Sequence, residues 1–270
     1  MQLITFDQYE RQAWAGQAGA FAAGFAKLCA YSVPQLLDGA GVGEGTRVLD
    51  IGTGTGTVAA AACARGARVT AVDAEPSMVE LAALNVPAAR VQLGLLPDLP
   101  FADGEFEAIT GNFVLNHVGQ PARALAELRR LLRPGGRLAL TIWPNPPAPG
   151  QALLGRAVEA VGLTRPAHLP PVAAEDDFPR TAEGLTELLT TAGLNEVHCE
   201  SLHWDHRTTP DEWWTGPAAG VAYIGQLLLS QPESTRTEVR QHFDRLAEEF
   251  RTPNGDLLLP HTALLATAIR

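Results

Sequence analysis

Lysine is nearly absent. Lys27 is the only one, and every other basic side chain is an arginine. The 20 basic residues are outnumbered by 30 acidic ones, giving a formal net charge of −10. A chain of that sign lacks the basic surface that nucleic acid or anionic lipid would require, so neither is expected as a partner. Cysteine is scarce too. Cys29, Cys63 and Cys199 are scattered and odd in number, which argues against a disulfide framework. They read as buried free thiols of a reducing, cytoplasmic compartment. No apolar run reaches the roughly 18 residues of a membrane span. Asp7, Glu10 and Arg11 come too early for a secretory signal. Internal repeats, low-complexity tails and charge runs are missing, as is the Gly-x-Ser-x-Gly elbow of a serine nucleophile. Arginine in place of lysine, with abundant alanine and glycine, is the composition of a high-GC bacterial genome.

What is present is enough apolar material for a full core. With 270 residues and 46% hydrophobic content, one large α/β domain is expected over 1–270. Residues 8–38 read as helix, with Trp14, Phe21, Phe25 and Leu28 on one face at spacings of seven, four and three. Strands are expected at 47–51, 68–73, 90–94, 106–113 and 137–143. Helices are expected between them at 58–65, 76–84 and 121–132, the last ended by Pro134-Gly135-Gly136. A proline-rich stretch at 144–171 with a short helix at 151–161 suggests a lid-like segment within 144–209. A helix at 181–192 and strand six at 196–206 follow. Residues 210–250 form a helical insert broken at Gly216-Pro217 and Gln231-Pro232, and residues 257–269 the last strand. The organisation is a helical cap at 1–40, a core at 41–143, the lid-like block at 144–209, the insert at 210–250 and a closing strand within 251–270. Strands alternating with helices imply a doubly wound, mostly parallel sheet.

The most informative run is Val48-Leu49-Asp50-Ile51-Gly52-Thr53-Gly54-Thr55-Gly56. An apolar strand ends in a carboxylate and enters a loop with glycine at every second position. Such a loop lets a ligand approach the backbone, and the following helix points its free amides back at it. This is the opening of a nucleotide-binding βαβ unit. Gly54-x-Gly56-x-x-Ala59 with Asp73 further on also satisfies the dinucleotide fingerprint, so the loop alone leaves an NAD(P)-dependent oxidoreductase open.

Four segments in order, VLDIGTGTG, AVDAEPSMVELA, LPDLPFADGEFEAITGNFVLNHV and LAELRRLLRPGGRLALTIW, resemble the class I S-adenosylmethionine-dependent methyltransferases. The resemblance is to the small-molecule, ubiquinone-biosynthesis-like branch and covers about residues 8–143. It implies a Rossmann-like seven-stranded sheet with the last strand antiparallel. It implies S-adenosyl-L-methionine as cofactor, S-adenosyl-L-homocysteine as product and methyl transfer to a small acceptor. It puts Gly52, Thr53, Gly54 and Gly56 against the amino-acid end of the cofactor, with Asp50 orienting the loop and attracting the ammonium. Asp73 would hold the ribose hydroxyls, and Ala74 and Met78 would flank the adenine. Asn112 would lie beside the methionyl part, and Phe113 and His117 near the transferred methyl, with His117 as candidate base. The chain departs from the family at Gly94-Leu95-Leu96, where relatives carry Gly-Asp-Ala, so the adenine falls to apolar contact with Leu95 and Leu96. It departs again at Phe21, where relatives carry a tyrosine that reaches the cofactor carboxylate; Gln17 or Trp14 would donate instead.

Trp14, Phe21, Trp143, Trp213, Trp214 and Tyr223, with Gln17, are the candidate acceptor residues. Their aromatic character favours a flat, apolar acceptor of the secondary-metabolite kind, and the acidic chain disfavours a protein or nucleic-acid acceptor. His198, His203, His206 and Asp205 look metal-like, but strand alternation splits them between two faces, and no metal is expected. A homodimer is left open. So is a protein that binds the cofactor without transferring methyl, such as a cyclase or a regulatory module.

Overall fold

The computed structural model describes residues 4–164 and 170–270. The part of the expected lid-like segment at 165–169 lies outside the described residues. Seven strands form one sheet: β1 (Arg47–Ile51), β2 (Arg68–Asp73), β3 (Arg90–Leu93), β4 (Phe106–Asn112), β5 (Leu132–Ile142), β6 (Asn195–Thr208) and β7 (Leu257–Ile269), in the order β3-β2-β1-β4-β5-β7-β6. The first five are mutually parallel, and β7 runs antiparallel to both β5 and β6. This is the expected α/β, doubly wound sheet with only the last strand reversed. Chain order reverses direction beside β1, so the crevice between β1 and β4 opens at their carboxyl ends, where ligands bind in such sheets.

The helices are α1 (Phe6–Trp14), α2 (Ala18–Ala23), α3 (Phe25–Cys29), α4 (Val33–Gly39), α5 (Thr57–Ala64), α6 (Pro76–Asn85), α7 (Pro121–Leu131), α8 (Leu153–Ala160), α9 (Ala182–Thr191), α10 (Pro210–Ala218), α11 (Ala222–Leu229) and α12 (Glu233–Ala247). Strand alternation sorts the core. Leu49 and Ile51 of β1 pack with Leu125 and Leu128 of α7 and Leu185 and Leu189 of α9. Val48 turns the other way, onto Leu36 and Leu37 of α4 and Val58 and Ala62 of α5. A third core stands over the carboxyl edge. It joins Tyr9 and Ala13 of α1, Leu154 and Val158 of α8, Trp213 of α10 and Val239 and Phe243 of α12 to Leu257 and Leu259 of β7. That third core makes a roof over the crevice.

Three expectations are corrected. The single helix over 8–38 is a chain of short helices, because Gly16 takes φ 71° and Gly24 leaves helical geometry at φ −131°, ψ −82°. Strand β5 begins at Leu132, ahead of the expected 137. Leu132 pairs with Phe106, and the ladder resumes only at Arg137 opposite Ala108, with Pro134-Gly135-Gly136 bulging between. Gly216-Pro217 does not break the insert. Both lie in the last turn of α10, where a Cβ on Gly216 would sit 2.8 Å from the Phe25 ring, so the glycine admits that ring. The cysteines are free thiols and half-buried. Burial still pushes the Cys29 thiol up to about 12 and Cys199 to about 11, so neither is a nucleophile near neutral pH. Among the described residues no helix is long and apolar enough to cross a membrane.

Candidate functional site

The crevice between sheet edge and roof is one cavity of about 790 Å³. Its floor is the loop after β1. Gly52 sits at φ 57° with its Cα turned onto Val114, where a Cβ would come within 2.4 Å of a methyl, so only glycine fits. The Thr53 amide donates to the Val72 carbonyl at 2.9 Å, and the Gly54 amide to Asp73 Oδ2 at 2.8 Å. The other oxygen of Asp73 accepts the Glu75 amide at 3.0 Å. Each carboxylate oxygen therefore keeps a free acceptor position. Burial raises the Asp73 pKa against these hydrogen bonds, which favour the anion. Asp73 does not cap α6. Glu75 does, accepting the Met78 amide at 3.0 Å, and its second oxygen accepts the Gly16 amide at 3.2 Å, which ties the α1–α2 turn to this edge. Ala74, Met78, Leu95 and Leu96 complete an apolar wall beside Asp73.

At the end of β4, Asn112 spends its side chain inside the protein. Its amide donates to the Cys29 carbonyl at 2.8 Å, while its oxygen accepts from Ser32 at 2.7 Å and Thr141 at 2.6 Å. Asn112 thus pins the N-terminal helices to the sheet and lines the cavity as part of that clamp. Phe113 follows with φ 61°, a conformation that costs a bulky residue on the order of 1–3 kcal/mol. Its amide is held by Thr141, and its ring stacks on Trp143 at 3.8 Å and 11°. The stack offsets part of that cost, and both rings line the crevice.

His117 lies one short turn further on. Its Nδ1 is 2.8 Å from Glu10 Oε2, and Trp14 Nε1 donates to the same oxygen at 3.1 Å. Trp14 Nε1 also lies 3.4 Å from His117 Nδ1. The shorter contact to a carboxylate wins, so Glu10 accepts from both rings, and the imidazole lone pair is left on Nε2. Glu10 was not among the candidates from sequence. Its signal was the spacing Asp7, Glu10, Trp14, one helical face. Asp7 on that face accepts the Gly119 amide at 2.6 Å, which docks α1 beside His117.

The other half of the cavity is aromatic. Trp14, Phe21, Phe113, Trp143, Trp213 and Tyr223 all line it, as does His261 of β7, which was also missed. His261 shares strand parity with buried Leu257, Leu259 and Ala263, so its place on the inner face was readable. Phe21 lies edge-on to Trp14 at 5.7 Å and reaches to Gly54.

Four candidates are not on the cavity wall. Asp50 shares strand parity with Val48 and turns under the loop, 1% exposed, accepting from Thr53 at 2.6 Å and Thr110 at 2.9 Å. Burial pushes its pKa up to about 7, only partly countered by those hydroxyls. Its bond to Thr53 ties it to the loop, and it does not line the cavity. Gly56, at φ 90°, would bring a Cβ within 2.8 Å of Val86 and 3.4 Å of Ala82, so it admits helix packing rather than a ligand. Gln17 donates to the Ala219 carbonyl at 3.3 Å, joining α2 to α10. Trp214 faces away into α12, 5.4 Å from Phe243 with the Arg240 guanidinium over its ring. The histidines of β6 separate: His203 and Asp205 are exposed, and His206 is buried. Among the described residues no group of His, Cys, Asp and Glu could hold a metal ion.

Residues 49–140 match the family described as methyltransferase domain. A demethylmenaquinone methyltransferase of Clavibacter sepedonicus is 41% identical over 108 residues, 39% of this chain and 44% of that protein. A ubiquinone biosynthesis O-methyltransferase of Xanthomonas oryzae is 36% identical over 130 residues, 46% of this chain and 54% of that protein. The chain spans about half the length of the curated relatives it matches, or less. Among solved structures, the YcgJ protein of Bacillus subtilis has the same fold, with TM-score 0.58 at 22% identity over 89% of this chain and 98% of that one.

Proposed function

Because residues 49–140 match a methyltransferase-domain family, we propose that this chain is a class I S-adenosylmethionine-dependent methyltransferase that transfers the cofactor's methyl group to a small, flat, apolar acceptor. The observation that carries the reading is the continuity of the cavity. One end has the glycine loop and Asp73, the other Phe113, Trp143, Trp213 and Tyr223, with no wall between. The volume lies in the upper part of the range for small-ligand pockets, roughly 300–1,000 Å³, which suits a cofactor and an acceptor together. Residues 1–40 and 210–250 are read as a cover over the domain core.

The residues present fit the cofactor. Asp73 keeps one acceptor position on each oxygen, matching two adjacent ribose hydroxyls. Ala74, Met78, Leu95 and Leu96 offer apolar faces for the adenine, and Gly52, Thr53 and Gly54 leave room for the amino-acid end. The cofactor supplies a methyl on a sulfonium, already activated toward displacement, so the protein's task is mainly alignment. Phe113 and Trp143 present a flat surface on which an acceptor ring can lie. Glu10 holds the His117 tautomer, so that Nε2 can take a proton from the acceptor as the methyl arrives. The α1–α3 and α10–α11 roof excludes water from the pair.

Calorimetric titration tests this first: S-adenosylhomocysteine should bind at micromolar Kd, and NAD should not bind. Methyl transfer is then read with labelled cofactor and phenolic or quinol acceptors. No binding of S-adenosylhomocysteine, or binding of NAD in its place, would overturn the proposal.

A further inference from the structure

The wall farthest in sequence from the glycine loop carries a histidine that the steps above do not use. His261 of β7 pairs in register with Trp204 of β6, is 2% exposed and lines the cavity. Its Nδ1 lies 2.8 Å from the Leu259 carbonyl. A carbonyl oxygen only accepts, so Nδ1 carries the hydrogen and the lone pair is on Nε2. Burial pushes this imidazole down to about 4, so the ring stays neutral and the lone pair stays open near neutral pH.

Rings surround it. Trp204 stacks at 6.0 Å and 20°, Trp213 meets it edge-on at 5.6 Å, and Trp143 and His206 stand at 6.2 and 6.1 Å. None of these supplies a hydrogen bond to Nε2. The indole nitrogens of Trp204 and Trp213 and Nδ1 of His206 are themselves buried without a partner. Glu212 and Lys27, the charged groups that act on His206, pair with each other. A cation placed here would be buried unpaired, and a hydrocarbon would leave the acceptor atom unmet. Both are unfavourable. A neutral donor on a flat ring satisfies the site.

Resting on the methyl-transfer reading above, we infer that Nε2 of His261 accepts a hydrogen bond from a hydroxyl of the acceptor molecule, making the acceptor a flat phenol or enol. His261 is then a specificity-determining residue. It reads a hydroxyl at the Trp143–Trp213 end of the cavity, while His117 handles the proton released on transfer. The fixed tautomer is what makes the site selective. With Nδ1–H committed to Leu259, the ring cannot flip roles to receive an acceptor group such as an ether or ketone oxygen.

The test compares 2-naphthol with 2-methoxynaphthalene, of the same ring system but without the donor. Both are titrated by saturation-transfer NMR into the protein, with and without bound S-adenosylhomocysteine. Wild-type protein should bind 2-naphthol about tenfold more tightly, the value of one hydrogen bond in a dry site. His261→Phe, similar in size, should bring the two affinities within about twofold. His261→Gln, which restores an acceptor oxygen, should recover part of the preference. Equal affinities in the wild type would overturn the inference whatever the variants do, as would a preference that survives in His261→Phe or failure of both probes to bind. Failure of S-adenosylhomocysteine to bind is a separate result, and it would count against the methyl-transfer reading.

Discussion

Removing the Asp73 carboxylate should cost cofactor affinity in a way that reports on its hydroxyl partners. Asp73 touches the Gly54 and Glu75 amides at 2.8 and 3.0 Å and has one acceptor position per oxygen left for the ribose. Hydrogen bonds to a charged group are worth about 1.5–3 kcal/mol each, and water takes over part of what a variant loses. For Asp73→Ala, a net loss of about 1.5–3 kcal/mol is expected, a rise of roughly 10–150-fold in the Kd of S-adenosylhomocysteine. Part of that loss could come from slackening the loop, since two amides lose their partner. A double-mutant cycle separates the terms. Calorimetry on wild type and Asp73→Ala is repeated with 2′-deoxy-S-adenosylhomocysteine. If the carboxylate binds the hydroxyl, the deoxy ligand binds the wild type worse by about tenfold, and the variant scarcely distinguishes the two. Unchanged affinity in Asp73→Ala would refute the reasoning. So would a deoxy penalty of equal size in both proteins, which would leave Asp73 as a tie between Gly54 and Glu75 only.

Asp50 predicts a pH dependence of stability. Its pKa is raised in the folded protein from 3.8 to about 7, so the anion is disfavoured on folding. Its contribution is fully favourable below pH 4 and is lost as pH rises toward 7, at up to about 1.4 kcal/mol per pH unit. Asp50→Asn should remove that slope in thermal melts from pH 4 to 7; an identical slope would show that folding does not raise the pKa of this carboxyl. Gly56→Ala places a methyl against Val86 at a φ of 90° and should cost about 2–4 kcal/mol in urea unfolding. The Kd of S-adenosylhomocysteine should change little in the folded fraction, and a selective loss of binding would return Gly56 to the cofactor contacts. His117→Gln should lower kcat by about 10²-fold with a small change in KM, and Glu10→Gln by about tenfold. If Glu10→Gln left both kcat and its pH profile as in wild type, Glu10 would be only a docking residue for α1.

Short-range chemistry made much of this protein readable from its residues alone. Strands β1, β2 and β7 lie where apolar runs and turn residues put them, because those signals act over a few residues. The glycine loop and Asp73 were legible for the same reason: a strand end, a tight turn and a helix start are neighbours in the chain. The side chains whose direction depends on distant partners were not. Asp50 and Gly56 sit in the readable motif, yet one turns under the loop to Thr110 and the other meets Val86. Strand pairing and helix packing decide those contacts. Glu10 reaches His117 across 107 positions, and Gln17 reaches Ala219 across 202. Of the adjacent Trp213 and Trp214, one lines the cavity and the other packs on α12, since consecutive helical residues point about 100° apart. Local sequence determined the scaffold and the glycine loop with Asp73 beside it. Only the docking of the terminal helices and of β7 decided which side chains line the aromatic half of the cavity, because contacts of that range are set by the packed chain as a whole.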